Sequence, residues 1–191
     1  MAAHELILGG QRSGKSRCAE ARATAWLAAL PGRSAVLLAT ALAGDDEMRA
    51  RIARHRADRA RRVPGLASVE VPRELPQALR AHAARERLVV VDCLSLWLTN
   101  LLMPLAGAPL GDAALNEARD GLCAALVAAG GPVLLVSNEI GLGVTPLTPE
   151  ARRYVDELGR LHQAVAAACT NVSLMVAGIE LALKQIGRAH V

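Results

Sequence analysis

The chain has 191 residues, a length that favours a single domain with a substantial core. Hydrophobic residues make up 52% of it, but Phe is absent and there is one Tyr, so Ala, Leu and Val must fill the core, as suits the buried strands of a parallel sheet. The net charge is +4 and the pI is near 9.2. Aromatic residues are only 2% of the chain and none interleaves with its arginine run, so we expect no nucleic-acid partner.

The cysteines are far apart in the sequence, without the spacing of a metal site or a redox pair. They are Cys18, Cys93, Cys123 and Cys169. We expect them to be small buried hydrophobes in a reducing cytoplasm. The opening apolar run, residues 5–8, is too short for a signal peptide. Residues 121–138 carry no charge, but Gly130-Gly131-Pro132 divides them, so we expect no membrane insertion.

Hydrophobic spacing and glycine or proline breaks predict the elements in chain order. Predicted strands cover residues 5–8, 35–40, 68–71, 88–91, 133–136, 172–176 and 180–183. Predicted helices cover residues 17–29, the segment opened by acidic residues 45–47, and residues 75–87, 113–129 and 150–168. Residues 94–102 continue apolar, 104–109 and 137–149 are predicted loops, and 185–191 a frayed tail. This alternation, with no linker, predicts one α/β domain over residues 1–191, with three layers and a mostly parallel central sheet.

The first predicted strand runs into Gly9-Gly10-Gln11-Arg12-Ser13-Gly14-Lys15-Ser16, and a predicted helix follows. This is the spacing of a P-loop, in which glycines let backbone N–H groups turn toward phosphate oxygens and the helix N-terminus adds its positive dipole end. Lys15 should reach the terminal phosphates, and the Ser16 hydroxyl should ligate Mg²⁺. The chain is therefore predicted to bind a nucleoside triphosphate, although kinases, motors and switches share the motif.

Asp92 directly follows the four aliphatic residues 88–91. A carboxylate at the carboxyl end of a central strand faces the crevice that holds phosphates and Mg²⁺, which is the place of a Walker B acid. The alternative is an aspartate that caps the following turn. The upstream P-loop favours the first interpretation, so Ser16 and Asp92 are the predicted metal ligands.

His55 lies within a run of arginines that spans fourteen residues. The run consists of Arg49, Arg51, Arg54, Arg56, Arg59, Arg61 and Arg62. On a helix, Arg51 and Arg59 share a face with His55. Such cations disfavour an imidazolium and would stabilise negative charge as the α-phosphorus of a triphosphate is attacked, so a neutral imidazole could form a phosphoramidate. From the residues alone, a surface histidine in a basic helix is the more common explanation.

Asn138 and Glu139 open the long predicted loop, in which Gly141 and Gly143 allow close approach of a ligand. The loop could receive an acceptor substrate or be an ordinary flexible connection, and the residues leave both interpretations open.

Several segments occur in the order of a known family: GGQRSGKS, ATALAGDDEMRARIARHRADR, VVVDCLSLWLTNLL, SNEIGLGVTP, and RRYVDELGRLHQAVA with VAGIELALK. They cover nearly the whole chain, which resembles the bifunctional adenosylcobinamide kinase/adenosylcobinamide-phosphate guanylyltransferase family of cobalamin biosynthesis. Some positions depart from the family pattern. Ala60 follows Arg59 where an Arg-Pro pair is common, Leu66 stands for a tryptophan, His162 for an asparagine and Glu180 for a proline.

The resemblance implies a recombinase-like P-loop NTPase fold and a homotrimer. It implies phosphorylation of adenosylcobinamide, a corrinoid, by ATP or GTP, and then transfer of GMP from GTP to the product, giving adenosyl-GDP-cobinamide and pyrophosphate. It implies that GMP is carried on His55, with Lys15 as the second catalytic residue. The further nucleotide contacts that it implies are Ala39, Thr40, Ala41, Arg56, Ala57, Asp58, Arg59, Glu70 and Asp92.

Two other interpretations of the same residues are open. In an ordinary small-molecule P-loop kinase, His55 would be incidental. In a P-loop switch or a nucleic-acid-binding ATPase, the arginines would grip a polynucleotide backbone, and binding would depend steeply on salt.

Overall fold

The computed structural model describes residues 3–185. Its elements in chain order are β1 (His4–Gly9), α1 (Lys15–Ala29), β2 (Ser34–Ala39), α2 (Asp46–Arg62), β3 (Leu66–Glu70), α3 (Leu75–His82), β4 (Arg87–Asp92), α4 (Leu94–Leu102), α5 (Asp112–Val127), β5 (Val133–Asn138), α6 (Pro149–Ala168), β6 (Asn171–Val176) and β7 (Ile179–Gln185).

The strands form one sheet in the order β3-β2-β4-β5-β1-β6-β7. Every neighbouring pair is parallel except the hairpin of β6 and β7. The prediction of a mostly parallel sheet in an α/β fold is therefore confirmed. Because the carboxyl ends of parallel strands lie at one edge, the segments that follow Gly9, Ala39, Asp92 and Asn138 meet there.

The central strands are buried on both faces and contribute alternate side chains to two cores. One core contains Ile7 and Val90 and is covered by α1, with Val63 at the end of α2. The other contains Leu6 and Val91 and is covered by α3, α4, α5 and α6. This is the predicted three-layer arrangement, and it separates α1 and α2 from α6 on opposite sides of the sheet.

The predicted helix over residues 75–87 is wrong at its carboxyl end, because α3 stops at His82. The chain then turns, and the Arg87 N–H donates to the carbonyl oxygen of Ala84 at 2.9 Å. Arg87 already pairs with Ser34 of β2 and so belongs to β4. The spacing of apolar residues predicts a helix up to residue 87, but it cannot reveal that Arg87 pairs with another strand instead.

The predicted loop over residues 137–149 is too long at both ends. Ser137 and Asn138 belong to β5, because pairing with β1 continues to the end of both strands. Pro149 begins α6, where a missing N–H costs nothing.

The apolar residues 94–102 form α4. In the predicted frayed tail, Gln185 instead closes β7, and residues 186–191 lie outside the described part of the chain.

All four cysteines are free, as expected. Cys93 and Cys169 are buried, but the prediction of burial is wrong for Cys18 and Cys123, which are half-buried. Cys18 lies on α1, packs against the core on that side of the sheet, and accepts a hydrogen bond from Arg22.

The amino-terminal edge of the sheet offers a test of close packing at Gly131. A Cβ atom at this position would lie 1.9 Å from the carbonyl oxygen of Ala84, whereas one at Gly130 would meet nothing within 4 Å. Gly131→Ala should therefore lower the free energy of unfolding by about 3 kcal/mol, because the backbone cannot move aside without disturbing β4. Gly130→Ala is the matched control and should change stability by less than about 1 kcal/mol. Urea unfolding measures both, and equal stabilities would contradict the packing described.

Candidate active site

The segment between β1 and α1 has the backbone of a phosphate-binding loop. Gly9 needs to be glycine, because a Cβ atom there would lie 2.5 Å from the carbonyl oxygen of Met175. Gly14 has φ +104° and Arg12 has φ +58°, so both adopt the left-handed region. No side chain caps α1, so its first N–H groups are free to bind an anion.

Lys15 and Ser16 open α1, and their side chains bond to the loop and to Asp92, respectively. The Lys15 Nζ donates to the Gly10 carbonyl oxygen at 2.6 Å, a bond that phosphate oxygens could replace. Burial lowers the pKa of Lys15, and the charge of Asp92 partly opposes the lowering. The Ser16 hydroxyl donates to Asp92 Oδ2 at 3.2 Å. The P-loop and the acid predicted to face it are therefore in contact.

Asp92 ends β4, and it lies level with the last residues of β2 and β3, the next two strands of the sheet. Ala39 of β2 pairs with Asp92 on one side and with Glu70 of β3 on the other. The structure therefore aligns three predicted site residues along one edge of the sheet. The residues described contain no cluster of three or more His, Cys, Asp or Glu that could hold a metal ion. One hydroxyl and one carboxylate nevertheless suit Mg²⁺, which keeps several waters and takes phosphate oxygens as its other ligands.

Helix α2 is anchored beside this edge through Arg59, which is only 9% exposed. Its Nη2 lies 3.7 Å from Asp92 Oδ2, and its Nε lies 3.8 Å from Glu20 Oε1 on α1. Arg62 also pairs with Glu20, at 2.6 Å. Asp45 caps the amino-terminal end of the helix, because its carboxylate accepts from the Met48 N–H at 2.7 Å. A buried arginine thus links α2 to Asp92.

His55 lies one helical turn before Arg59, on the same face of α2 and about 6 Å along its axis. Its side chain is exposed. Two other predicted contacts have partners of their own: Arg56 pairs with Glu70, and Asp58 pairs with Arg61 at 2.5 Å. The Arg61 hydrogen bond lowers the pKa of Asp58.

Thr40 has a structural use that the sequence did not reveal. It is fully buried; its hydroxyl donates to the Cys93 carbonyl oxygen at 2.7 Å and accepts from the Cys93 N–H at 2.9 Å. The Thr40 carbonyl accepts from Asn100 Nδ2 at 2.7 Å. The hydroxyl is therefore committed inside the protein, and nucleotide contact by residues 39–41 stays a prediction.

The sequence prediction gave His162 no role, but the structure places it in a buried polar group with Ser137. The two side chains are 2.7 Å apart, and the His162 Nδ1 lies 3.5 Å from Glu139 Oε2. The available signal was the spacing of Ser137 and Glu139, which puts both side chains on the same side of an extended chain. A histidine 25 residues from Ser137 could not be paired with it from periodicity.

A groove of about 610 Å³ lies between α5 and α6. Some of its charged side chains pair with each other, as Arg153 does with Asp112 at 2.8 Å. This groove is not lined by the residues of the phosphate-binding loop, and none of the predicted site residues lines it. None of the helices that the structure describes combines the length and the hydropathy needed to cross a bilayer.

The fold and the site together define a nucleotide-binding protein of the P-loop class: a parallel α/β sheet, a phosphate loop after β1, and an acid at the end of β4. Among solved structures, the flagellar accessory protein FlaH from Methanocaldococcus jannaschii is similar, with a TM-score of 0.52 and 12% identity over 96% of this chain and 78% of that one. This likeness supports the recombinase-like P-loop fold alone.

Sequence comparison identifies the family. Residues 5–183 match the family described as cobinamide kinase / cobinamide phosphate guanyltransferase, and the chain belongs to it. It is 49% identical to the bifunctional adenosylcobalamin biosynthesis protein CobP of Pseudomonas aeruginosa, over 94% of this chain and 96% of that protein. It is 36% identical to the bifunctional adenosylcobalamin biosynthesis protein CobU of Escherichia coli, over 94% of this chain and 98% of that protein. The family resemblance inferred from the motifs is confirmed.

Two buried histidines in the described part of the chain predict how stability depends on pH. Burial lowers the pKa of His4 and of His162 below the ordinary 6.5, although the negative charge of Glu139 partly opposes this for His162. The unfolded chain therefore takes up protons at these residues before the folded one does. Stability is complete above about pH 6.5 and should fall as the pH drops from there toward the lower folded pKa values.

Urea unfolding at about pH 7.5, 6.5 and 5.5 measures this dependence. His162→Asn removes one of the two groups and should reduce the loss of unfolding free energy between about pH 6.5 and 5.5. Carboxylates with a lowered pKa, such as Glu180 with its Ser173 hydrogen bond, lose their contribution at lower pH and do not interfere. Wild-type stability that stays constant down to about pH 5.5 would contradict the prediction.

Proposed function

We propose that this chain, working as one domain over residues 1–191 in the cytoplasm, carries out both reactions named for its family. It would phosphorylate adenosylcobinamide with ATP or GTP, and then transfer GMP from GTP to adenosylcobinamide phosphate. The products would be adenosyl-GDP-cobinamide and pyrophosphate. Four free cysteines fit the reducing compartment that we propose.

The observation that carries the proposal is the contact of Arg59 with Asp92, because it brings the His55 face of α2 to the phosphate loop. Asp92 also accepts from Ser16. His55 is exposed one turn away, with room for a ligand. An incidental surface histidine would not require its helix to be tied to the Walker B acid through a buried guanidinium.

In the proposed transfer, an imidazole nitrogen of His55 attacks the α-phosphorus of GTP. A phosphorus–nitrogen bond forms and the bond to the pyrophosphate oxygen breaks. The phosphate of adenosylcobinamide phosphate then attacks the same phosphorus, and the imidazole leaves. Neighbouring arginines of α2 would stabilise the negative charge that develops in both steps.

The phosphate loop would hold the triphosphate through its backbone N–H groups and Lys15. Ser16 and Asp92 would hold Mg²⁺, which neutralises charge on the phosphates when bound. Residues 39–41, 56–59 and Glu70 are the further nucleotide contacts that we propose. Glu70 ends β3 level with Asp92, which supports its inclusion in the site.

We also propose that the chain assembles as a homotrimer. Edge strand β7 supports this, because its alternate residues Ile179, Leu181 and Leu183 are 67%, 50% and 59% exposed. Large aliphatic side chains in a row on an edge strand are a liability unless another surface covers them.

Labelling with α-³²P-GTP tests the covalent intermediate. Wild-type protein with Mg²⁺ should retain label that survives alkali and is lost in acid, as expected of a phosphoramidate. His55→Ala should retain less than about 1% of that label, because no other proposed group carries GMP.

His82→Ala is the matched control for the labelling experiment. His82 ends α3, next to the segment that leads into β4 at the opposite edge of the sheet. This variant should label like wild type. Undiminished labelling of His55→Ala would remove His55 as the carrier, whereas γ-phosphate transfer without any protein–GMP adduct would favour an ordinary kinase.

Sedimentation equilibrium tests the assembly. The wild-type mass should be three times the 20.0-kDa mass of the chain. Leu181→Glu should shift the population toward the monomer, because burying an unpaired charge in an interface is costly. Leu30→Glu, at an exposed site after α1, should not. A monomeric wild type would contradict the trimer.

A further inference from the structure

A second polar group lies at the carboxyl edge of the sheet, on the face opposite Asp92 and Arg59. It consists of Ser137, Glu139 and His162. Ser137 is fully buried, and His162 is 7% exposed. Ser137 lies near the end of β5 and Glu139 directly follows the strand, and both contact His162 of α6.

The hydrogen bonds around His162 assign its tautomer. The Glu139 carboxylate oxygens are acceptors, and Oε2 lies 3.5 Å from the His162 Nδ1, so Nδ1 is the nitrogen that carries the N–H of a neutral ring. The other nitrogen, Nε2, then accepts from the Ser137 hydroxyl at 2.7 Å. Burial lowers the pKa of His162, which favours the neutral ring. Its single N–H is then on Nδ1 and points toward Glu139 Oε2, 3.5 Å away. Ser137 thus orients an imidazole whose proton faces a carboxylate.

The Glu139 carboxylate is held on a second side by the loop that follows. Its Oε1 accepts from the Gly141 N–H at 2.6 Å. The side chain is still 21% exposed, and within residues 3–185 no lysine or arginine nitrogen lies within 4.0 Å of it. Glu139 is therefore an oriented, partly exposed carboxylate with no lysine or arginine paired to it in the described part of the chain.

The position of Glu139 brings it to the phosphate loop. Its backbone N–H donates to the Gly9 carbonyl oxygen at 2.9 Å, so the residue lies directly beside the start of that loop. Asp92 cannot serve the same purpose, because it is already engaged with Ser16 and Arg59. Phosphoryl transfer to an alcohol needs a base that can take the hydroxyl proton.

We propose that Glu139 is the general base of the kinase reaction and that His162, oriented by Ser137, is its positioning residue. This inference rests on the proposed function. The acceptor hydroxyl gives its proton to a Glu139 oxygen while its own oxygen bonds to the γ-phosphorus. The bond from that phosphorus to the β–γ bridging oxygen breaks, and the nucleoside diphosphate leaves.

Glu139→Gln separates catalysis from loop structure, because the amide oxygen still accepts from Gly141 but cannot take a proton. The kinase kcat should fall by about 100-fold to 10,000-fold, with the KM for the nucleotide nearly unchanged. Labelling by α-³²P-GTP should stay at the wild-type level, since it needs no acceptor hydroxyl. Glu117→Gln, on the exposed face of α5, is the matched control.

Two variants of His162 test the positioning role. The amide nitrogen of asparagine takes the place of Nδ1, and that of glutamine takes the place of Nε2. His162→Asn should therefore keep the donor to Glu139 and most of the kinase kcat. His162→Gln should lose that donor and lower kcat by about 10-fold to 100-fold. In the Glu139→Gln background, His162→Gln should have little further effect on kcat.

Three results would overturn the assignment. Glu139→Gln with a kinase kcat within about threefold of wild type would exclude the base role. If the kinase kcat fell equally in His162→Asn and His162→Gln, in proportion to their loss of unfolding free energy, His162 would have only a packing role. Wild-type protein that makes no adenosylcobinamide phosphate would overturn the kinase function along with the role of Glu139, which distinguishes that failure from the first.

Discussion

The contacts of the Asp92 carboxylate organise the candidate site. Asp92 ends a central strand, accepts from the first turn of α1 through Ser16, and lies near the guanidinium of Arg59 on α2. Because that guanidinium is nearly buried, its charge is costly unless an acid stays beside it. Asp92 therefore links the basic helix to the start of α1, and Glu20 of α1 strengthens that link by pairing with Arg59 and Arg62. These contacts hold the helix that carries His55 beside the phosphate loop.

The sheet divides the chemistry between its two faces. On the α1 and α2 side are the phosphate loop, Asp92 and the arginine-rich helix that carries His55. On the α6 side are Glu139 and the buried His162, whose Nδ1 lies 3.5 Å from the Glu139 carboxylate. The two sides meet at the carboxyl edge, where Glu139 bonds to Gly9. This division suits an enzyme that attaches two different groups to one acceptor, because nucleotide binding and acceptor activation then use different side chains.

The sequence predicted most of the architecture, but only some of the contacts that hold the candidate site together. The loop of Gly9 to Ser16, Asp92, and a helix carrying His55 and Arg59 on one face follow from motif spacing and helical periodicity, and the structure brings the loop, Asp92 and Arg59 into contact. The end of α3 was misplaced, because strand pairing by Arg87 competes with helical spacing. The sequence did not reveal that the Thr40 hydroxyl bonds to the backbone of Cys93, and the nucleotide contact of Thr40 stays a prediction.

The sequence by itself determined the order of strands and helices and the phosphate loop, because these depend on local periodicity and on backbone conformations that only certain residues adopt. The tertiary structure alone decided which distant side chains meet. His162 contacts Ser137 because a helix packs over the end of a strand, and Gly9 must be glycine because Met175 on a neighbouring strand comes within reach. Such contacts depend on how elements pack across the sheet, and no spacing along the chain encodes them.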